Sequence, residues 1–186
     1  RRMMDGKIFC HDFQAYNLTN PFASMYAKRL INEKVNTPTE IKGTAFEGPF
    51  IRREVVEKIG IPNKDLFIFG DDTDYCLRAV LAGFKIVYIP NALMDKEKFF
   101  SNDTWEQRNQ KKKWKRYYQI RNSAYLNHRY GQNWGVKYVR GFINVCGYIA
   151  TALVTAPFSN AWKWNEIPKL WKAYKDGVNE QLGIIK

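Results

Sequence analysis

The sequence predicts a layered α/β domain followed by basic and amphipathic helices. Three observations carry this. Short apolar runs alternate with helical periods between residues 42 and 90, an acidic Gly-Asp-Asp-Thr-Asp turn at 70–74 sits inside that alternation, and from Trp105 onward lysines, arginines and aromatics interleave at near-helical spacing. Alternating strands and helices build layered folds because each apolar sheet face must be covered. The 186 residues suffice for one core with an appendage, without a disulfide or metal to fold it.

The elements follow in order. Tyr26–Val35, after Pro21, reads as a short helix, and Asn36-Thr-Pro-Thr-Glu40 as a loop. Lys42–Ile51 reads as a strand interrupted at Gly48-Pro49. Arg53–Ile59 reads as a helix stopped by Gly60, and Ile61–Asp65 as a loop. Leu66-Phe-Ile-Phe69 is expected to be a short buried strand. The acidic turn leads into a helix from about Thr73 to Ala82, with Gly83 as its stop, and Phe84–Ile89 is the next strand, closed by Pro90. Strand, acidic turn, helix, glycine and strand make a βαβ-like unit. One or two basic amphipathic helices then end near Gly131. Gly141–Trp162 carries no charged residue, yet its apolar part, Phe142–Ala156, falls short of the roughly 20 residues a spanning helix needs. The last stretch sets Trp164, Ile167, Leu170, Trp171 and Tyr174 against Lys163, Lys169, Lys172 and Lys175. The expected division is residues 1–104 and 105–186.

Composition narrows the function classes. Apolar residues at 45% and charged residues at 26% argue against wholesale disorder. Thirty Lys and Arg against eighteen Asp and Glu give a net charge of +12, which points to an anionic partner: nucleic acid, acidic lipid or a phosphorylated substrate. Cys10, Cys76 and Cys146 are odd in number and far apart, which reads as a reducing compartment; Cys76 falls on the buried side of its helix as an inert thiol. With only His11 and His128, a His-rich zinc site and an H-E-x-x-H protease are excluded, and His128, among basic residues, reads as a surface or capping residue. No nucleophile-elbow, phosphate-loop or dinucleotide-binding glycine motif occurs.

Asp71, Asp72 and Asp74 lie at the predicted carboxyl end of a buried strand, where open α/β sheets place ligands. Helix capping explains any one of them, since a helix dipole favours an acid in its first turn by about 0.3–1 kcal/mol. Three within four residues repel one another unless they are used, to hold a divalent cation or to keep one carboxylate as a base. Lys111-Lys-Lys-Trp-Lys-Arg-Tyr-Tyr118 suits a solvated face, nucleic acid or an anionic membrane, and the tryptophan-bearing stretches downstream favour the membrane surface. Phe46, beside Gly48 and Pro49, is either packing or a platform for a sugar ring.

Three runs taken together resemble a known family: Gly48-Pro-Phe-Ile-Arg-Arg-Glu-Val-Val-Glu-Lys-Ile-Gly-Ile-Pro62, Phe67-Ile-Phe-Gly-Asp-Asp-Thr-Asp-Tyr-Cys-Leu-Arg78 and Ala82-Gly-Phe-Lys-Ile-Val-Tyr-Ile-Pro90. They are similar to the second half of family 2 glycosyltransferases. Lys115-Arg-Tyr-Tyr-Gln-Ile-Arg-Asn122 and Leu170–Gly177 resemble the bacterial galactofuranosyl- and rhamnosyltransferases of cell-surface polysaccharide synthesis. The resemblance implies a partial GT-A (Rossmann-like) sheet layer and inverting transfer from a UDP- or dTDP-sugar to a polysaccharide or lipid-linked acceptor. It implies Asp72 as general base, with Asp71 and Asp74 beside it and Phe46 and Gly48 on the acceptor side. It also implies a divalent metal, Mg or Mn, without naming its ligands here. Where these enzymes often carry a metal-ligating His, this chain has Lys96, whose charge suits a diphosphate; Asp95 and Glu97 flank it as alternative ligands. The donor-nucleotide half, with its D-x-D, has no counterpart before Thr44, so the chain is expected to be a piece of a longer protein.

The expected setting is the cytoplasm, peripheral at the inner face of the membrane, because nucleotide-sugars are cytosolic. The same apolar surface would serve a homo-oligomer. The alternative function is a non-catalytic basic module for membrane or nucleic acid; it leaves the three carboxylates without a use, since they repel phosphate, and nucleic acid is the less favoured partner.

Overall fold

The structure is a computed structural model and describes residues 1–9, 11–97, 104–159 and 161–185. Cys10 lies outside the described residues. The chain is mixed α/β and divides into two compact units: Arg1–Asn17, Ser24–Asn63 and Asp71–Phe99 form the first, and Leu18–Ala23, Lys64–Gly70 and Phe100–Lys186 the second.

The first unit carries short strands in three small sheets. Strand β1 (Arg2–Met4) pairs antiparallel with β2 (Lys7–Phe9) and parallel with β8 (Met94–Asp95). Asp5 and Gly6 close the β1–β2 hairpin with φ of 51° and 70°, the left-handed pair that a two-residue turn between twisted strands requires. Strand β3 (Asp12–Ala15) lies antiparallel between β4 (Lys28–Arg29) and β6 (Gly43–Thr44), and β5 (Thr39–Ile41) pairs antiparallel with β7 (Ile86–Tyr88). Helices α1 (Arg53–Ile59) and α2 (Asp71–Leu81) complete the unit. Gly60, at φ 77°, ends α1 with its N–H on the Val56 carbonyl at 2.8 Å.

Three expected elements are corrected. Tyr26–Val35 is no helix: Lys28–Arg29 is a strand and Asn32–Lys34 a 3₁₀ turn. Long-range bonds decide this, because Leu30 N–H donates to the Asp12 carbonyl at 2.9 Å and the buried Asn32 amide donates to the Asp12 carboxylate at 2.8 Å. The 42–51 strand shrinks to Gly43–Thr44, after which the chain bends, with Glu47 N–H on the Ala45 carbonyl at 2.7 Å. Leu66–Phe69 is not a strand; Lys64–Leu66 is a 3₁₀ turn, and Phe67 and Phe69 take φ of 61° and 68°. The βαβ reading fails with it, and β7 pairs antiparallel with β5 instead.

The second unit is helical: α3 (Trp105–Lys112), α4 (Arg116–Tyr130), a π-helical turn at Gly135–Val139, α5 (Arg140–Thr155) and α6 (Ile167–Val178). A capping box starts α3: Thr104 Oγ1 accepts from Gln107 N–H at 3.2 Å, and Gln107 Oε1 accepts from Thr104 N–H at 2.9 Å. Tyr117, Tyr118, Ile120, Val145, Leu170 and Ala173 form its core. Helices α4 and α6 approach closely at Gly177, where an added Cβ would meet the Arg121 carbonyl and come within 2.6 Å of the Ala124 methyl. On α6, Leu170, Ala173, Asp176 and Gly177 are buried while Lys169, Lys172 and Lys175 are exposed. Among the described residues no helix is long and apolar enough to cross a membrane.

Candidate active site

The first turn of α2 carries Asp71, Asp72 and Asp74. Asp72 is half-buried, and its Oδ1 accepts from the Thr73 N–H at 2.6 Å and the Thr73 hydroxyl at 3.3 Å. Thr73 in turn meets the Tyr26 hydroxyl at 3.1 Å and bonds the Tyr16 hydroxyl. Phe13, Tyr16 and Tyr26 pack ring on ring around it, with centroids 5.0 to 5.9 Å apart. Tyr16 has room only because position 43 is glycine, where an added Cβ would run into its ring and hydroxyl.

Burial pushes the Asp72 carboxyl above the usual carboxylate range, and the Asp71 charge adds to this; the Thr73 N–H and the His11 field pull the other way. Burial also raises the Tyr16 and Tyr26 phenols, so both stay protonated as neutral donors. The result is an oriented carboxylate with heightened proton affinity. Sequence reasoning missed Tyr16 and Tyr26, which lie about 50 residues upstream of Asp72 and show no local motif.

The three acids are not alike. Asp74 is 2% exposed and accepts from Arg78 Nε at 2.9 Å. Arg78 also donates to the Ile59 and Ile61 carbonyls, tying α2 to the end of α1. Asp74 is thereby held in the framework under the first turn of α2. Cys76 is buried with its thiol 3.6 Å from the Thr44 carbonyl, and burial pushes it up to about 11.

Phe46 and Gly48 lie elsewhere in the same unit, on the wall of a cavity of about 480 Å³ that Tyr75, Cys76, Ile86 and Met94 also line. The Phe46 and Tyr75 rings meet edge to face at 5.6 Å. Gly48, at φ 71°, leaves space for the Met94 sulfur, 2.6 Å from where a Cβ would stand. Asp72 and Lys96 are not among the lining residues. The Lys96 ammonium pairs with Glu47 and sits 4.7 Å above the Phe9 ring.

Arg2, Asp12 and Thr44, which also line the cavity, belong to a buried polar cluster without a warning in the local sequence. Asp12 accepts from Arg2 Nη2 and Thr44 Oγ1, both at 2.6 Å, and from Asn32 at 2.8 Å. Arg2 also donates to the Ala45 carbonyl at 3.3 Å.

A divalent metal is common among family 2 enzymes. Among the described residues no three His, Cys, Asp or Glu side chains are placed to hold one, so their donor set does not fit a metal.

In the second unit, Arg121 and Asn122 of α4 are each 1% exposed. The Asn122 amide donates to the Leu66, Ile68 and Phe69 carbonyls, each at 2.8 Å. Arg121 donates to the Asp65 and Leu66 carbonyls at 3.1 and 3.3 Å and to the Gly183 carbonyl. These bonds hold a loop with left-handed residues at 67, 69 and 70, and its last residue, Gly70, is bonded to Asp71. An L side chain in that region stores strain of about 1–3 kcal/mol, which persists only where surrounding contacts enforce it. Asn122→Ala is therefore expected to lower stability by about 1–3 kcal/mol through orphaned carbonyls, measured by denaturant unfolding, with faster amide exchange confined to residues 66–70. The Arg121-Asn122 pair was visible in the sequence only as part of a resemblance; nothing in it named the carbonyls that it serves.

No curated protein and no solved structure matches the chain. A family model described as "Glycosyltransferase like family 2" matches residues 11–123, a span that holds the acidic turn of α2, the Phe46–Gly48 wall and the Arg121-Asn122 clamp. That match covers more than half of the sequence, and the chain belongs to glycosyltransferase-like family 2.

Proposed function

We propose that this chain supplies the acceptor side and the general base of an inverting sugar transfer. Asp72 takes the proton from an acceptor hydroxyl as that oxygen attacks the anomeric carbon. The bond from that carbon to the diphosphate breaks, and the nucleoside diphosphate leaves with the electron pair. The observation that carries the reading is the half-buried Asp72 carboxylate, held by Thr73 and raised in proton affinity, at the start of α2 inside the family-matched span. A base whose proton affinity lies nearer working pH accepts the proton more effectively.

The donor is a UDP- or dTDP-sugar and the acceptor a glycan or lipid-linked glycan of the bacterial surface, as in the galactofuranosyl and rhamnosyl branch. The nucleotide is gripped by residues outside this sequence, a reading supported by the absence of a D-x-D before Thr44. In the enzyme that contains this chain, nuclear magnetic resonance of the product is expected to show the anomeric centre inverted relative to the donor. Retained configuration removes Asp72 as the base of a single displacement. Calorimetric titration of this chain with UDP and dTDP, with and without manganese, is expected to show no binding; measurable binding would place a donor site within it.

A further inference from the structure

Helix α5 leaves an apolar surface open. Phe142, Ile143, Leu153 and Val154 are 44% to 69% exposed, and Phe158 beyond the helix is 88% exposed. From Gly141 to Trp162 no side chain is charged. The exposed Thr151 hydroxyl donates to the Gly147 carbonyl at 2.9 Å, and that of Thr155 to the Thr151 carbonyl at 2.7 Å. Both hydroxyls thus satisfy their donors on the helix itself and do not need water for it. A soluble surface gains nothing from such a stripe, and a contiguous apolar patch marks a contact.

The flanks identify what covers it. Trp134 precedes the helix at 70% exposure; Trp164 follows it at 60% exposure and donates its indole N–H to the Leu153 carbonyl at 3.4 Å. Tryptophan, with a large apolar ring and one polar N–H, favours the headgroup layer. Lys112, Lys163, Lys169 and Lys175 of the same unit are exposed, and the chain carries +12. That charge repels a second copy and attracts anionic lipid. With 16 residues the helix is about 24 Å long, too short to cross the hydrocarbon core.

We propose that α5 lies in the plane of an anionic membrane, with Phe142, Ile143, Leu153, Val154 and Phe158 below the headgroups and the lysines on the phosphates. This surface is independent of Asp72 and needs no sugar transfer to be read.

The test is flotation of the full chain with phosphatidylcholine vesicles, with and without phosphatidylglycerol. Association is expected with the phosphatidylglycerol vesicles at low salt, weakening as salt screens the lysines. The double variant Leu153→Glu, Val154→Glu is expected to partition at least about tenfold more weakly, because two apolar side chains no longer enter the acyl boundary. Phe158→Ser, outside the helix, gives the same direction if the double variant proves misfolded by circular dichroism. Three results overturn the proposal: wild-type chain left in the soluble fraction at low salt, variants that bind as tightly as wild type, or a dimer in sedimentation that Leu153→Glu, Val154→Glu dissociates without any vesicle binding.

Discussion

Asp72→Asn is expected to lower sugar transfer by about 10²–10⁴-fold, the usual contribution of a positioned base. The amide oxygen still accepts from the Thr73 N–H, so the first turn of α2 keeps its geometry and the loss falls on kcat, not on acceptor binding. Asp72→Glu restores part of the rate, because it returns a carboxylate with a displaced oxygen. The same residue sets two pH dependences. Since burial raises its proton affinity in the folded state, the folded chain binds the proton over a window above the ordinary carboxylate range where the unfolded chain does not. Its contribution to stability is therefore full below that ordinary range and declines as pH rises through the raised value. With Asp72 as the proposed base, activity is expected to run the opposite way and to rise with pH through that value as the carboxyl ionises. In Asp72→Asn the rising limb of the rate profile disappears, and the stability slope in that window flattens. An unchanged rate profile in the variant would remove Asp72 from the chemistry.

Asp12→Ala gives the largest loss of stability, about 3–5 kcal/mol. Arg2 is 5% exposed and Asn32 is fully buried, and both lose their shared acceptor. A buried guanidinium left with only the Glu47 carboxylate, 3.9 Å away, as counter-charge costs far more than loss of the surface pair Arg53–Glu57, whose removal changes little. For a chain of this length the shift corresponds to a melting temperature lower by about 6–20 °C, read by calorimetry. Asp12→Asn is expected to lose less, since its one amide oxygen keeps an acceptor on the side that Arg2 and Thr44 share, whereas Asn32 loses its own. A melting point within 2 °C of wild type for Asp12→Ala, about what one surface pair is worth, would mean that Arg2 finds another partner.

Local chemistry determined much of this protein by itself. The helices at 53–59, 71–81 and 116–130 were legible because their punctuation is local: Gly60, Gly83 and Gly131 end them, and the acids at 71–74 suit a helix start. The family and the turn that carries Asp72 were legible for the same reason, since both are contiguous runs. The tertiary structure alone decided what long-range bonds impose. Leu66–Phe69 has a strand's composition, yet the Asn122 amide takes three of its carbonyls and the backbone turns left-handed. Tyr26–Val35 has a helix's spacing, yet the Asp12 carboxylate and carbonyl draw it into a strand edge. Asp71, Asp72 and Asp74 are equivalent in the sequence and become different through burial and partners: Thr73 orients the second and Arg78 binds the third. Residue type and spacing reveal which groups can do chemistry, but proton affinity and pairing depend on neighbours tens of residues away, which the folded chain supplies.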